Sequence, residues 1–335
     1  MQIILPSIVV SAGRNFANTA ASIACRFNLD ALIITSSKHD QGYNGLDDND
    51  GRIEHIRLDS KNVLNPSSSY IRRLLFRELP YIKDKISYCN YNTVIIVGDL
   101  AEKDGIAVMP MLAEVFASMG KRILSFVAMP FRFEKSMLFK SSIALRLLRE
   151  RSNCTVIIDK DALLECSPEL KVNDCYAIAE DVMLNAVYAM LRSEGSDHGL
   201  YIANKAYVAK HSNDNATDNV MKELLTQLYS SNADDVSRAL VNIVGTDLSI
   251  GAINQISTYV STVLGYNVSV DVSMLSTVDD NARSGVLTVY EVKSSRFDSY
   301  DPLNIVSKTL DFSCEYGADV LTEFEERLDI IDIEC

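Results

Sequence analysis

Along the first half of the chain, short apolar runs of β-branched residues alternate with stretches of helical spacing. "IILPSIVV" leads into "FANTAASIACRF", and "ALIIT" follows. A polar stretch to about Ser60, rich in Asp, Asn and Gly, comes next, before helical spacing returns in "SYIRRLLFRELPYIKDKI". The strand "TVIIVG", the helix "AVMPMLAEVFASMG", the strand "RILSFVAM", a helix through "KSSIALRLLRER" and the strand "TVIID" complete the series. Apolar strands separated by helices of about ten or more residues predict βαβ units and a mostly parallel α/β sheet flanked by helices. Ligands of such sheets bind outside the carboxyl ends of the strands. The turn from Gly98 to Gly105, which follows "TVIIVG", is therefore a candidate site.

A long helix through "CYAIAEDVMLNAVYAMLR" then places Ile178, Val182, Ala186 and Ala189 on one face. "SEGSDHG" breaks the pattern, and the texture changes. A helix near 217–230, a strand "RALVNIVG", a helix "IGAINQISTYVSTVL" and two alternating strands, "NVSVDVS" and "VLTVYEV", predict a smaller α+β domain. The polar "TVDDNARSG" between the last two strands reads as a hairpin loop. The expected organisation is a first domain over 1–173, a connecting helix over 174–192, a second domain over 193–293 and an acidic tail over 294–335. In that tail, residues 315–335 hold eight Asp or Glu against one Arg. It reads either as a partner-binding peptide or as a terminal helix docked on the body.

Charge and composition narrow the function. The 335 residues are 47% apolar and carry a formal net charge of −13, with no basic run, which argues against binding nucleic acid or inserting into a membrane. No apolar stretch reaches the ~18 residues of a membrane span, and the first residues lack the basic flank of a signal peptide. The seven cysteines are scattered and odd in number, with no C-x-x-C, so they read as thiols of a cytoplasmic protein. The four histidines form no ligand spacing, and no metal is expected. "DDNDGRIEHIRLD" has Asp48, Asp50 and Gly51 in calcium-loop positions, but Leu46 and Arg57 stand where oxygen ligands belong, so it reads as an exposed turn or hairpin. "SAGRNFANTAAS" has one glycine where a dinucleotide fingerprint needs three. Gly-rich phosphate loops of the P-loop type and serine-hydrolase elbows are absent.

The turn after "TVIIVG" has the architecture of a phosphate site but carries Glu102, Lys103 and Asp104. "VAMPFRFEKSM", 127–137, resembles the strand-end loop V-T-K-P-F-x-F-E-G of the FtsZ branch of the tubulin superfamily. In family order, "NP" at Asn65 and Pro66, "DALLE" at 161–165, "EDVMLNAV" at 180–187 and "ALVNIVGTDLSIGAINQIS" at 239–257 resemble its further motifs. The glycine-rich signature G-G-G-T-G-T-G would fall on residues 101–107, with Pro110 keeping the proline that follows. The resemblance implies a tubulin/FtsZ-like fold and a nucleotide pocket of which only a vestige remains.

The pocket residues it implies are Gly13 and Asn15 of the first loop, Asn65, Gly98, Glu102, Lys103, Asp104, Gly105, Glu134, Asp161, Glu180 and Asp181. Only Gly105 survives of the signature's five glycines, and side chains with Cβ atoms and negative charge exclude phosphate. Glu180 and Lys160 replace the family's two asparagines, and Leu138 replaces an arginine. The family's water-positioning loop, N-x-D-x-x-D, would fall within 199–210, where Asn204 and Tyr207 replace both aspartates. The resemblance thus implies no catalytic residue, lost GTP hydrolysis and no required cofactor. Asp104 or Glu102 is expected to stand in for phosphate by capping a helix over 105–119. The leading expectation is a structural protein of filaments, associating with itself or with an FtsZ-like paralogue, with a further protein partner for the tail. The alternatives are a GTP-binding GTPase with a non-standard pocket and a regulatory binding module acting through the tail.

Overall fold

The computed structural model describes residues 6–36, 51–59, 63, 66–161, 164, 168–192, 203–211, 221, 224, 238–244, 249–265, 267–275, 283–290, 297 and 300. Asn65, most of the acidic tail, the 276–282 stretch of the expected hairpin loop and most of the expected 217–230 helix lie outside them.

Six parallel strands form the body of the sheet: β1 (Ser7–Ala12), β2 (Asp30–Thr35), β3 (Ile53–Arg57), β4 (Thr93–Asp99), β5 (Arg122–Met129) and β6 (Cys154–Asp159). β1, β4 and β6 are buried along their whole length, which is why they read as unbroken apolar runs rather than alternating ones. The order β3-β2-β1-β4-β5-β6 reverses direction between β1 and β4. Such a switch point opens a crevice at the carboxyl ends of its two strands.

Helices cover both faces. On one side lie α2 (Ser68–Tyr88), α3 (Lys103–Ser118) and α4 (Lys135–Arg151), sharing a core with Val10, Ile96 and Val127. On the other, α1 (Ala17–Phe27) and α5 (Val172–Arg192) share a core with Val9, Ile95 and Phe126. α5 is the expected connecting helix. Its buried stripe is Ala179, Val182, Met183, Ala186 and Val187, with Ile178 only partly buried beside it.

The sheet continues through β7 (Ala203–His211), which joins β6 in parallel by one residue pair, Ile158 with Ala206. β10 (Arg283–Tyr290) runs antiparallel to both β7 and β8 (Arg238–Val244). β9 (Ser269–Leu275) runs parallel to β8 and is reached through α6 (Ile250–Leu264). This part has its own apolar cluster, including Leu224, Val241, Ile256 and Val260.

Three elements differ from the sequence reading. Residues 53–57 form an edge strand, not an exposed turn: only Ile53 and Ile56 are apolar, and an edge strand with one solvated face leaves little pattern. β9 and β10 are not a hairpin, because β8 lies between them. Their alternation fixes which side chains face the core but not which strand is the neighbour. The segment matched to the family's water-positioning loop is strand from residue 203 onward: Tyr207 pairs with Leu287 of β10, and Asn204 falls at the register shift between Ala203 and Lys205.

Candidate functional site

The crevice at the ends of β1 and β4 gathers most of the expected pocket residues. Gly13 ends β1 with φ at +93°, a conformation that favours glycine. A Cβ there would lie 2.2 Å from the Glu102 carboxylate. Gly98 packs tightly as well: its Cβ would meet Ala12 O at 2.8 Å and Met109 Sδ at 2.7 Å. Gly105 lets the first turn of α3 ride over β4, where a Cβ would sit 2.0 Å from the carbonyl oxygen of Asp99. These glycines serve close approach of the chain to itself.

Glu102 occupies the N-cap position of α3 but makes no side-chain bond to the helix it precedes. Its Oε2 accepts hydrogen bonds from the backbone N–H of Arg14 at 2.9 Å and of Asn15 at 3.3 Å. Asp104, one residue into α3, accepts from the backbone N–H of Ser36 at 2.9 Å and from the Ser36 hydroxyl. Both carboxylates therefore bond donors of other loops, where capping of their own helix was expected. The reasons are geometric. A cap needs a short side chain that folds back onto its own helix, whereas Glu102 is long enough to cross the crevice, and Asp104 already lies inside the first turn of a helix that starts at Lys103.

Beneath them is an ionic core. Asp99 and Lys160 are both fully buried, and Lys160 Nζ lies 2.9 and 3.2 Å from the two Asp99 oxygens. Asp99 also accepts from Asn15 Nδ2 at 3.0 Å and from the Ala101 N–H at 2.9 Å. The Lys160 ammonium stands 4.9 Å from the ring centre of Phe131 and 4.4 Å from that of Tyr176. Such cation–π contacts favour a desolvated ammonium. The Phe131 loop is tied down in turn: the Phe131 N–H donates to Glu134 at 2.8 Å, and the Arg132 N–H to the Asp161 carboxylate at 3.0 Å.

Crowding raises the proton affinity of these groups. Burial, then the charges of Asp99 and Asp104, push the Glu102 carboxyl up to about 7, against the pull of the Asn15 and Arg14 amides. Burial pushes Asp104 up, offset by its bonds to Ser36. Burial and the Asp181 charge raise Glu180 on α5. Lys103, the first residue of α3, is half-buried. Among the described residues, no group of three or more His, Cys, Asp or Glu side chains is placed to hold a metal ion.

Sequence reasoning missed Asp99, Ser36, Phe131 and Tyr176. Asp99 alone left a signal, a carboxylate ending a fully apolar strand, which is costly to bury unless paired. Its partner, 61 residues away, becomes apparent only when strands β4 and β6 are set side by side around β5.

A six-stranded parallel sheet with this order, helices on both faces and a crevice at the β1/β4 switch point define the FtsZ/tubulin-like fold. Solved structures match it over most of their length. An FtsZ dimer from M. jannaschii, solved empty, aligns with a TM-score of 0.65 at 17% identity, over 86% of this chain and 88% of that one. CetZ2 from Haloferax volcanii, solved as a GTPγS-bound protofilament, aligns with a TM-score of 0.66 at 13% identity, over 98% and 100%. In sequence, the chain is similar to cell division protein FtsZ 2 of Methanocaldococcus jannaschii, 23% identical over 181 residues, 49% of this chain and 48% of that protein. It is also 25% identical over 185 residues to cell division protein FtsZ 1 of Pyrococcus woesei, covering half of each. The match thus spans about half the length of these relatives. No protein-family model matches the chain. The fold is thus FtsZ/tubulin-like, and the sequence is similar to FtsZ at low identity.

Proposed function

We propose that this chain is an FtsZ-like cytoskeletal protein that associates head to tail with copies of itself or with an FtsZ-like partner, without hydrolysing GTP. In this reading it acts in the cytoplasm, in division or cell shape. What supports it most directly is one contact: the Glu102 carboxylate accepts the Arg14 and Asn15 N–H groups at the switch point. Those are the donors a phosphate would need. The carboxyl group seated on those donors occupies their bonds, and above about pH 7 its charge repels a second anion as well. The ammonium of Lys160 likewise lies against Phe131 and Tyr176, whose rings meet edge to face at 5.7 Å. The names of the relatives, cell division proteins, and of a solved neighbour, a protofilament, favour assembly as the retained role.

The deciding experiment is calorimetric titration of GTP into the purified chain, with and without magnesium, beside electron microscopy of nucleotide-free protein. Filaments or paralogue-dependent assemblies without measurable GTP binding are the expected result. Micromolar GTP binding would overturn the filled-pocket reading. Monomers under every condition, with and without FtsZ-like partners, would overturn assembly.

A further inference from the structure

The outer face of the α2–α3–α4 layer carries charge opposite to the rest of the molecule. Apart from the buried Arg72, α2 holds four Lys or Arg against two Asp or Glu, and α4 five against one, in a chain whose net charge is −13. Part of this is neutralised locally, by Lys85 with Glu54, Arg146 with Glu150 and Arg151 with Glu114. Arg73, Arg77, Lys83, Lys135, Lys140 and Arg149 are in no ion pair among the described residues. Between them α2 exposes Phe76 and Tyr81, at 42% and 49%. Arginine interleaved with exposed aromatic rings is the composition of an interface centre, not of a solvated helix face.

A second observation brings the end of the chain to the same layer. Phe297 and Tyr300, only 2% and 8% exposed, belong to the apolar cluster that contains Leu75, Leu112 and Leu148 of α2, α3 and α4. Their rings meet edge to face at 5.6 Å. The residues after Tyr300 therefore start from the layer that carries the basic face. Residues 315–335 hold eight carboxylates and one Arg, interspersed with Leu and Ile in "LDIIDI". The intervening residues, at about 3.3 Å each when extended, span farther than α2 is long.

We propose that the acidic segment 315–335 docks on the basic outer face of α2 and α4 of its own chain, its carboxylates on Arg73, Arg77 and the α4 lysines and its apolar residues against Phe76 and Tyr81. The tail is then a strap that a partner must displace. This contact does not involve the nucleotide crevice, and it stands or falls separately from the reading above.

Zero-length carbodiimide coupling of the full chain, followed by mass spectrometry, tests the proposal. Links from carboxylates of 315–335 to Lys83, Lys135 or Lys140 are expected, formed within one chain in a mixture of isotope-labelled and unlabelled protein. Links elsewhere on the body, with none to α2 or α4, would overturn it. Links only between differently labelled chains would assign the face to a second copy instead. Cleavage of the tail by a glutamate-specific protease supplies the second readout. Arg73→Glu combined with Arg77→Glu should raise its rate several-fold without moving the melting temperature, and so should about 0.5 M salt on the unaltered protein, which screens charge. Unchanged cleavage in both cases rules the strap out. Salt-sensitive sedimentation with anionic vesicles while the tail remains cleavable would give the face to a lipid surface and overturn the proposal too.

Discussion

Lys160 and Asp99 meet at 2.9 Å, with neither side chain reaching solvent, although Lys160 directly follows β6 and Asp99 ends β4, strands that do not touch each other. The pair bridges over β5 and fastens the floor of the crevice. A buried ion pair adds little over a well-packed apolar pair, but losing one partner strands the other charge. Lys160→Met should therefore cost about 3–5 kcal/mol in urea denaturation. Lys160→Met with Asp99→Leu should recover a large part of that loss. A single variant that unfolds at the same urea concentration as the parent would mean that removing Lys160 leaves no stranded charge.

Glu102 should make stability depend on pH in a particular direction. Its carboxyl titrates near 7 in the folded chain, against the usual 4.5. Between those values the native state holds a proton that the unfolded state has released, so stability falls as pH rises from about 4.5 to about 7, by on the order of 3 kcal/mol from this group. Below that window the contribution is fully present. Glu102→Gln, neutral at every pH, should remove this part of the slope and leave the variant the more stable of the two at pH 8. Melting curves across the range decide it: parallel curves for the two proteins would show that Glu102 titrates normally.

The first half of the fold was legible because its strands are buried on both faces and its helices are long, so period and length agree. Strand β3 was not, since two isoleucines among charged neighbours look like a turn. The partner of β10 was not either, because alternation records a face and carries no information about the adjacent strand. The β4–α3 turn was placed at the carboxyl end of a parallel strand, where it lies, and its Glu102 and Asp104 were expected to cap the helix that follows. Where their bonds go was misjudged: the donors, Arg14, Asn15 and Ser36, lie on loops brought near by the parallel order of β2, β1 and β4. No local pattern encodes that proximity.

Asp104 and Ser36 should be coupled energetically. Two bonds to one partly buried carboxylate join the start of α3 to the end of β2. The hydroxyl bond can be isolated with Ser36→Ala, because the backbone N–H stays. A double-mutant cycle with Asp104→Ala should give a coupling energy of about 1–2 kcal/mol, typical of a charge-assisted bond. Additive losses would show that the hydroxyl bonds water as readily as Asp104.

Gly105 separates two reasons for keeping a glycine at a phosphate-type turn. If it serves a ligand, Gly105→Ala should leave the ligand-free protein intact and weaken only binding. The structure assigns it to the fold: an added Cβ would meet the Asp99 carbonyl oxygen at 2.0 Å, and that oxygen belongs to a fully buried residue whose carboxylate is held by Lys160 and Asn15. Neither side of the contact has room to yield. Gly105→Ala should cost about 3 kcal/mol or more in nucleotide-free buffer, or prevent folding. Gly120, with φ at +68° and no atom within 4 Å of an added Cβ, supplies the control. Gly120→Asn should be nearly silent, because asparagine tolerates the left-handed region. Calorimetric melting of the two variants beside the parent compares them directly. If Gly105→Ala melts with the parent, the turn has slack, and a ligand becomes the better explanation for its glycine.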